Sequence, residues 1–103
     1  MDFIVVFVTT SSEEEAEKIA KVLVEEHLAG CVNILSKIKS IYFWEGKVCE
    51  DSEVLLIIKT RTEKFESLKE KITSLHSYQV PEIIALPIEK GSTTYLDWLK
   101  KVT

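Results

Sequence analysis

Three segments of this chain are apolar at every position instead of every second one: Phe3-Ile4-Val5-Val6-Phe7-Val8, Val54-Leu55-Leu56-Ile57-Ile58 and Ile83-Ile84-Ala85-Leu86. Each falls well short of the about 20 apolar residues that a membrane-spanning helix needs. Each is also rich in the β-branched and aromatic side chains that suit strands. Successive side chains of a strand point to opposite faces, so strands of this kind must be dry on both sides. A sheet made from them therefore needs two covers.

The intervening segments supply one cover. Ser11-Ser12 can accept hydrogen bonds from the orphan amides of a first helical turn, and Glu13, Glu14 and Glu15 suit the positive end of its dipole. Ala16, Ile19, Ala20, Leu23, Val24 and Leu28 then fall at helical spacing, Glu14 with Lys18 and Glu17 with Lys21 form i,i+4 pairs, and Gly30 is the predicted C-cap. A second amphipathic helix is predicted from Thr62, with Phe65, Leu68, Ile72 and Leu75 on one side, ending near His76-Ser77. Thr93 or Thr94 is predicted to cap a last short helix holding Tyr95, Leu96, Trp98 and Leu99.

Between the first two helices, β-formers dominate from Cys31 to Trp44 and from Lys47 to Thr60, joined by Glu45-Gly46, which predicts a long hairpin. Val80 to Ile88 reads as a fourth strand; Pro81 and Pro87 cannot donate to a ladder, which places it at a sheet edge. The order is βαββαβ plus a terminal helix, an α+β chain of the ferredoxin-like split βαβ type. With 103 residues, 46% of them hydrophobic, residues 1–103 read as one domain.

Helices in this order cover one sheet face, so the other is expected to be covered by another copy of the chain. The hairpin points the same way. Its arms are about twice the usual strand length, and Tyr42-Phe43-Trp44 near the tip would expose three aromatics unless they fold back on their own helices.

Charge narrows the partners. A net charge of −4 and a pI near 5.2 repel phosphate backbones and anionic lipid surfaces, and Arg61 is the sole arginine, so neither nucleic acid nor membrane is an expected partner. The N-terminal run lacks the basic segment and cleavage site of a signal peptide, and two cysteines make no disulfide framework, so the cytoplasm is the expected compartment. A turn centred on Glu45-Gly46 pairs Tyr42 with Cys49 and Cys31 with Thr60, placing the two thiols roughly 36 Å apart, beyond a bridge or shared metal ligation. Cys31 is expected to be a small buried residue and Cys49 a strand residue on the arm.

Four segments, Leu28-Ala29-Gly30-Cys31-Val32-Asn33, Ser40-Ile41-Tyr42-Phe43-Trp44-Glu45-Gly46-Lys47, His76-Ser77-Tyr78-Gln79-Val80-Pro81-Glu82-Ile83 and Tyr95-Leu96-Asp97-Trp98-Leu99, resemble those of CutA proteins in matching order. The resemblance covers essentially the whole chain. It implies a homotrimer of ferredoxin-like subunits, related in architecture to PII signalling proteins, and a link to tolerance of divalent cations, chiefly copper. It implies no reaction.

Copper needs soft or imidazole ligands converging on one point. Some family members have a cysteine at the position of Val8 and a second histidine at that of Leu75; here His76 alone remains of that set, as a cap, a surface residue or a weak metal ligand. The family motifs mark a second cluster, Lys59, Tyr78, Glu82, Trp44 and Trp98, with His76 and Tyr42 near, as a small-ligand or partner site between subunits. Lys59 and Glu82 would each be costly to bury alone, so a structural ion pair at the subunit boundary is the competing reading. No catalytic signature is present, neither G-x-S-x-G nor G-x-x-x-x-G-K nor H-E-x-x-H, and an acylphosphatase-like site would want an arginine near strand one, where Thr9-Thr10-Ser11 stands. No cofactor is expected to be required for folding.

Asn33 and Gln79 are the only amide side chains, while Glu and Lys abound, a profile common in proteins from hot environments. Thermal unfolding followed by circular dichroism is therefore expected above about 65 °C, and reversible melting below that would contradict it.

Overall fold

The computed structural model describes residues 2–103. Eight elements follow in order: β1 (Phe3–Thr10), α1 (Glu13–Glu25), β2 (Cys31–Trp44), β3 (Lys47–Arg61), a 3-10 turn (Thr62–Lys64) leading into α2 (Phe65–Leu75), β4 (Ile83–Pro87) and α3 (Thr93–Val102). The four strands form one antiparallel sheet in the order β2-β3-β1-β4, so β3 sits between β1 and β2 as the split βαβ reading requires. The proline-bearing strand is at the edge, shortened to Ile83–Pro87.

Ile4, Val6 and Val8 of β1 and Val54, Leu56 and Ile58 of β3 point to one face, where Ala16, Ile19 and Leu23 of α1 and Leu68 and Ile72 of α2 complete the core. Ser12 caps α1, its hydroxyl accepting from the Glu15 amide at 3.1 Å. Neither predicted i,i+4 pair on α1 closes among the described residues; instead Glu26 reaches Lys71 of α2 at 3.1 Å. Val24, expected on the buried stripe, is exposed.

Four local expectations need correction. The C-cap of α1 is not at Gly30: His27 takes the left-handed conformation, φ 59°, with Leu28 N–H donating to Leu23 O at 2.9 Å and His27 N–H to Val24 O at 3.1 Å, a Schellman end. Gly30 has a packing reason instead, because a Cβ there would lie 2.4 Å from Leu99 Cδ1. The last helix is capped by Ser92, whose hydroxyl accepts from Tyr95 N–H, and not by Thr93 or Thr94. Helix α2 proper begins at Phe65, after the 3-10 turn at Thr62.

The fourth correction changes which face side chains occupy. Beyond the tight turn, where Glu45 and Gly46 both have positive φ, Tyr42 pairs with Cys49 as expected, but Cys31 pairs with Lys59 and not Thr60. A bulge is responsible: Leu35 faces Leu55 and Ile38 faces Glu53, so Ser36 and Lys37 together stand against Val54, with Lys37 at φ 60°. Cys31 accordingly lies on the face away from the core, half-buried, beside Lys59.

That second face carries Val5, Phe7, Leu35, Leu55, Ile57, Ile84 and Leu86, aligned by the strand registers. Helix α3 meets one end of it: Tyr95 lies by Cys31, and Thr103 Oγ1 accepts from Arg61 Nε at 3.0 Å. Farther along, Leu35, Ile84 and Leu86 are each more than half exposed. The arm is bare too: Ile41 (65%), Phe43 (71%) and Val48 (70%) are open to solvent.

Gly30→Ala is expected to destabilise the chain by about 1–3 kcal/mol, since Leu99 is fully buried and cannot swing away. Gly46→Ala should cost about 1 kcal/mol through φ strain alone, as nothing lies near its Cβ. Urea unfolding of both variants checks the order; equal costs would contradict the Leu99 contact.

Candidate functional site

The segment between α2 and β4 is held by two side chains of the core layer. His76 ends α2, its backbone N–H donating to Ile72 O at 2.9 Å while its φ and ψ turn extended, so the chain leaves the helix here. Its side chain is completely buried. Nε2 donates to Thr9 O at 2.7 Å and Nδ1 accepts from Tyr78 N–H at 3.0 Å, so the ring pins the segment to the end of β1 and uses both nitrogens in doing so. Glu15, in the first turn of α1, clamps the same segment from the other side: Oε2 accepts from Ser77 N–H at 2.7 Å and Oε1 from Ser11 N–H and Oγ at 3.3 and 3.2 Å. Burial alone would raise the Glu15 carboxyl, but the hydrogen bonds from Ser77 and Ser11 and the nearby His76 outweigh it and hold the group below its ordinary value.

Pinned in this way, Tyr78 lies against the His76 ring, centroids 4.7 Å apart, and its hydroxyl donates to Glu53 Oε2 at 2.6 Å. Burial first, then the bond to and charge of Glu53, push that hydroxyl well above the ordinary tyrosine range. Glu53 is only 7% exposed. Next to it, on the same face of the arm, Tyr42 donates to Asp51, which pushes the Tyr42 hydroxyl up to about 12. Between arm and segment lies a cleft of about 720 Å3, bounded by Thr9, Tyr42, Trp44, Glu53, Tyr78 and Glu82, with no basic side chain in its lining.

The five residues picked out from the sequence are thus divided. Tyr78, Glu82 and Trp44 line the cleft, with Tyr42. Lys59 and Trp98 do not. Lys59 Nζ donates to Asn33 Oδ1 and lies 3.7 Å from Cys31 Sγ; Tyr95, by Cys31, stacks at a tilt on Trp98 with centroids 5.5 Å apart. Burial, then Cys31, raises the Tyr95 hydroxyl. Within one chain Lys59 and Glu82 form no ion pair with each other, and Glu82 is exposed.

Glu53 was not singled out in the sequence, though a signal exists: it shares parity with Leu55 and Ile57, a carboxylate at the head of an apolar row. Among the described residues no three His, Cys, Asp or Glu side chains gather as a metal site, and His76 has no free ring nitrogen in this arrangement. The residues of one chain therefore do not fit a copper centre.

Residues 4–102 match the family model described as CutA1 divalent ion tolerance protein. The chain is 57% identical over 99 residues, covering 96% of each sequence, to the divalent-cation tolerance protein CutA of Thermus thermophilus. It is 55% identical over 100 residues to the chloroplastic protein CutA of Arabidopsis thaliana, spanning 97% of this chain but 55% of that longer relative. Solved structures agree: the Thermus thermophilus protein superposes with a TM-score of 0.96 over 98% of both chains at 55% identity. A protein from Archaeoglobus fulgidus, described as periplasmic, does so with a TM-score of 0.95 over 97% of both at 45% identity.

The Glu15 clamp carries a pH prediction. A carboxyl whose folded pKa is depressed adds stability that is present above its unfolded value, here 4.5, and is lost as pH falls through the folded value. Acid unfolding of the wild type should therefore steepen below about pH 4.5, and Glu15→Gln should flatten that limb. An unchanged acid limb in the variant would contradict the clamp.

Proposed function

The chain belongs to the CutA1 divalent ion tolerance protein family, and from that premise we propose that it works by binding and not by catalysis, as a homotrimer in which each copy offers its cleft to a small ligand. The observation that carries this reading is the cleft itself. Its volume lies within the roughly 300–1,000 Å3 range of small-molecule sites, its walls combine the aromatic side chains of Tyr42, Trp44 and Tyr78 with polar and acidic ones, and two independent clamps hold one wall in place. The exposed second sheet face and the bare arm support self-association, since a contiguous apolar surface of this kind is normally covered. Such an arrangement would suit a PII-like regulator or scaffold. Two free thiols, Cys31 and Cys49, support a reducing compartment such as the cytoplasm.

The family description, which names ions, supports a second reading in which the protein binds copper or another divalent cation directly through His76. That ring would have to give up either Thr9 or Tyr78 first, so binding should be weak.

Titration calorimetry with copper is expected to give weak heats that shrink in His76→Ala; tight binding unaffected by that substitution would contradict the assignment. For assembly, Trp44→Ala should weaken association more than Trp98→Ala, because Trp44 is on the arm whereas Trp98 already stacks on Tyr95 of its own chain. Native mass spectrometry at graded dilution checks this, and equal or reversed effects would count against the arm as contact surface.

A further inference from the structure

Glu53 is nearly inaccessible, 7% exposed, yet none of the ion pairs among the described residues includes it. Its hydrogen-bond donor is the uncharged Tyr78 hydroxyl, at 2.6 Å. A carboxylate removed from water without a cation beside it is costly, and it is normally paired or faces something that pairs it. This one faces the cleft, where no lysine, arginine or histidine side chain of its own chain contributes to the lining and where Glu82 adds a second carboxylate.

The remaining walls suit a cation as well. Tyr42, Trp44 and Tyr78 line it, and aromatic rings carry quadrupoles that attract positive charge. Both tyrosine hydroxyls donate to carboxylates, Tyr42 to Asp51 and Tyr78 to Glu53, which pushes electron density into the rings and strengthens that attraction. The cleft, about 720 Å3, is far larger than a single ion, and its carboxylates are not gathered as metal ligands. The protein's charge of −4 favours the approach of cations generally.

We propose that the cleft selects a small organic cation, an ammonium or guanidinium group carried on an apolar body, seated over the Tyr42, Trp44 and Tyr78 rings with its charge toward Glu53. This rests on the reading of the cleft as a ligand site and adds the class of ligand. Glu53 is the charge-selecting group, Glu82 a secondary one at the rim, and the clamps on His76 and Glu15 fix the distance between Tyr78 and the arm.

The test uses the intact protein and four probes of one shape: n-butylammonium, n-butylguanidinium, n-butanol and butyrate, at constant ionic strength. The readout is the Trp44 indole N–H resonance, with that of Trp98, outside the cleft, as the internal control. Either cation is expected to shift Trp44 and to bind about tenfold more tightly than butanol, with butyrate weaker still. Glu53→Gln should abolish the cation preference, and Glu82→Gln, at an exposed position, should lower it about threefold. Butanol or butyrate binding as tightly as the cations would overturn the ligand class while leaving a ligand site. Silence of Trp44 toward all four probes would overturn the ligand site as well. Loss of association in Glu53→Gln, with no cation binding to the wild type, would assign the missing positive charge to a neighbouring copy and overturn the proposal.

Discussion

Strands β1, β3 and β4 are apolar on both faces, and the chain's own helices bury only one of them across its centre. On the inner face, Ile4, Val6, Val8, Val54, Leu56 and Ile58 meet α1 and α2 and lose nearly all contact with water. On the outer face, α3 reaches one end through Leu99, Tyr95 and Thr103, and beyond it Leu35, Ile84 and Leu86 stay exposed. Burial of apolar surface is the main favourable term in folding and in association alike. The same sheet therefore organises the core of one copy and calls for another copy on its far side, and the long arm with Ile41, Phe43 and Val48 extends that demand beyond the body of the subunit.

The site depends on the sheet through one strand end. Thr9 is paired with Leu55 in the ladder, and its carbonyl accepts from His76, whose other nitrogen accepts from the Tyr78 amide. Glu15 adds a second attachment through Ser77. The end of β1 is thus linked through His76 by two hydrogen bonds to a tyrosine in the cleft, and the cleft wall inherits the rigidity of the sheet. His76 contributes most as a brace, with both of its nitrogens committed.

Much of the fold was legible in the residues because its signals are local. Helical spacing marked α1 and α2, Pro81 and Pro87 marked the edge strand, and Glu45-Gly46 marked the turn. The bulge at Ser36-Lys37 was not legible, because no glycine announces it and its left-handed residue is a lysine. That single extra residue turns Cys31, Asn33 and Leu35 to the outer face and Val32 and Ile34 to the inner one, so the Lys59 environment could not be derived from turn-counting. The candidate site was legible in part. Motif similarity found Tyr78, Glu82 and Trp44, but whether Lys59 and Trp98 join them is a question of which strand row each occupies, and spacing along the chain does not carry that. Glu53 went unnoticed because a charged residue in a strand usually means a solvated face.

Sedimentation equilibrium from submicromolar to tens of micromolar concentration tests the central claim most directly, that copies of this chain cover the second sheet face. A trimer across the range, with a melting temperature that falls on dilution, is the result expected from coupling of folding to assembly. A stable, folded monomer at micromolar concentration would show that the outer face tolerates water, and would remove the physical reason for the assembly.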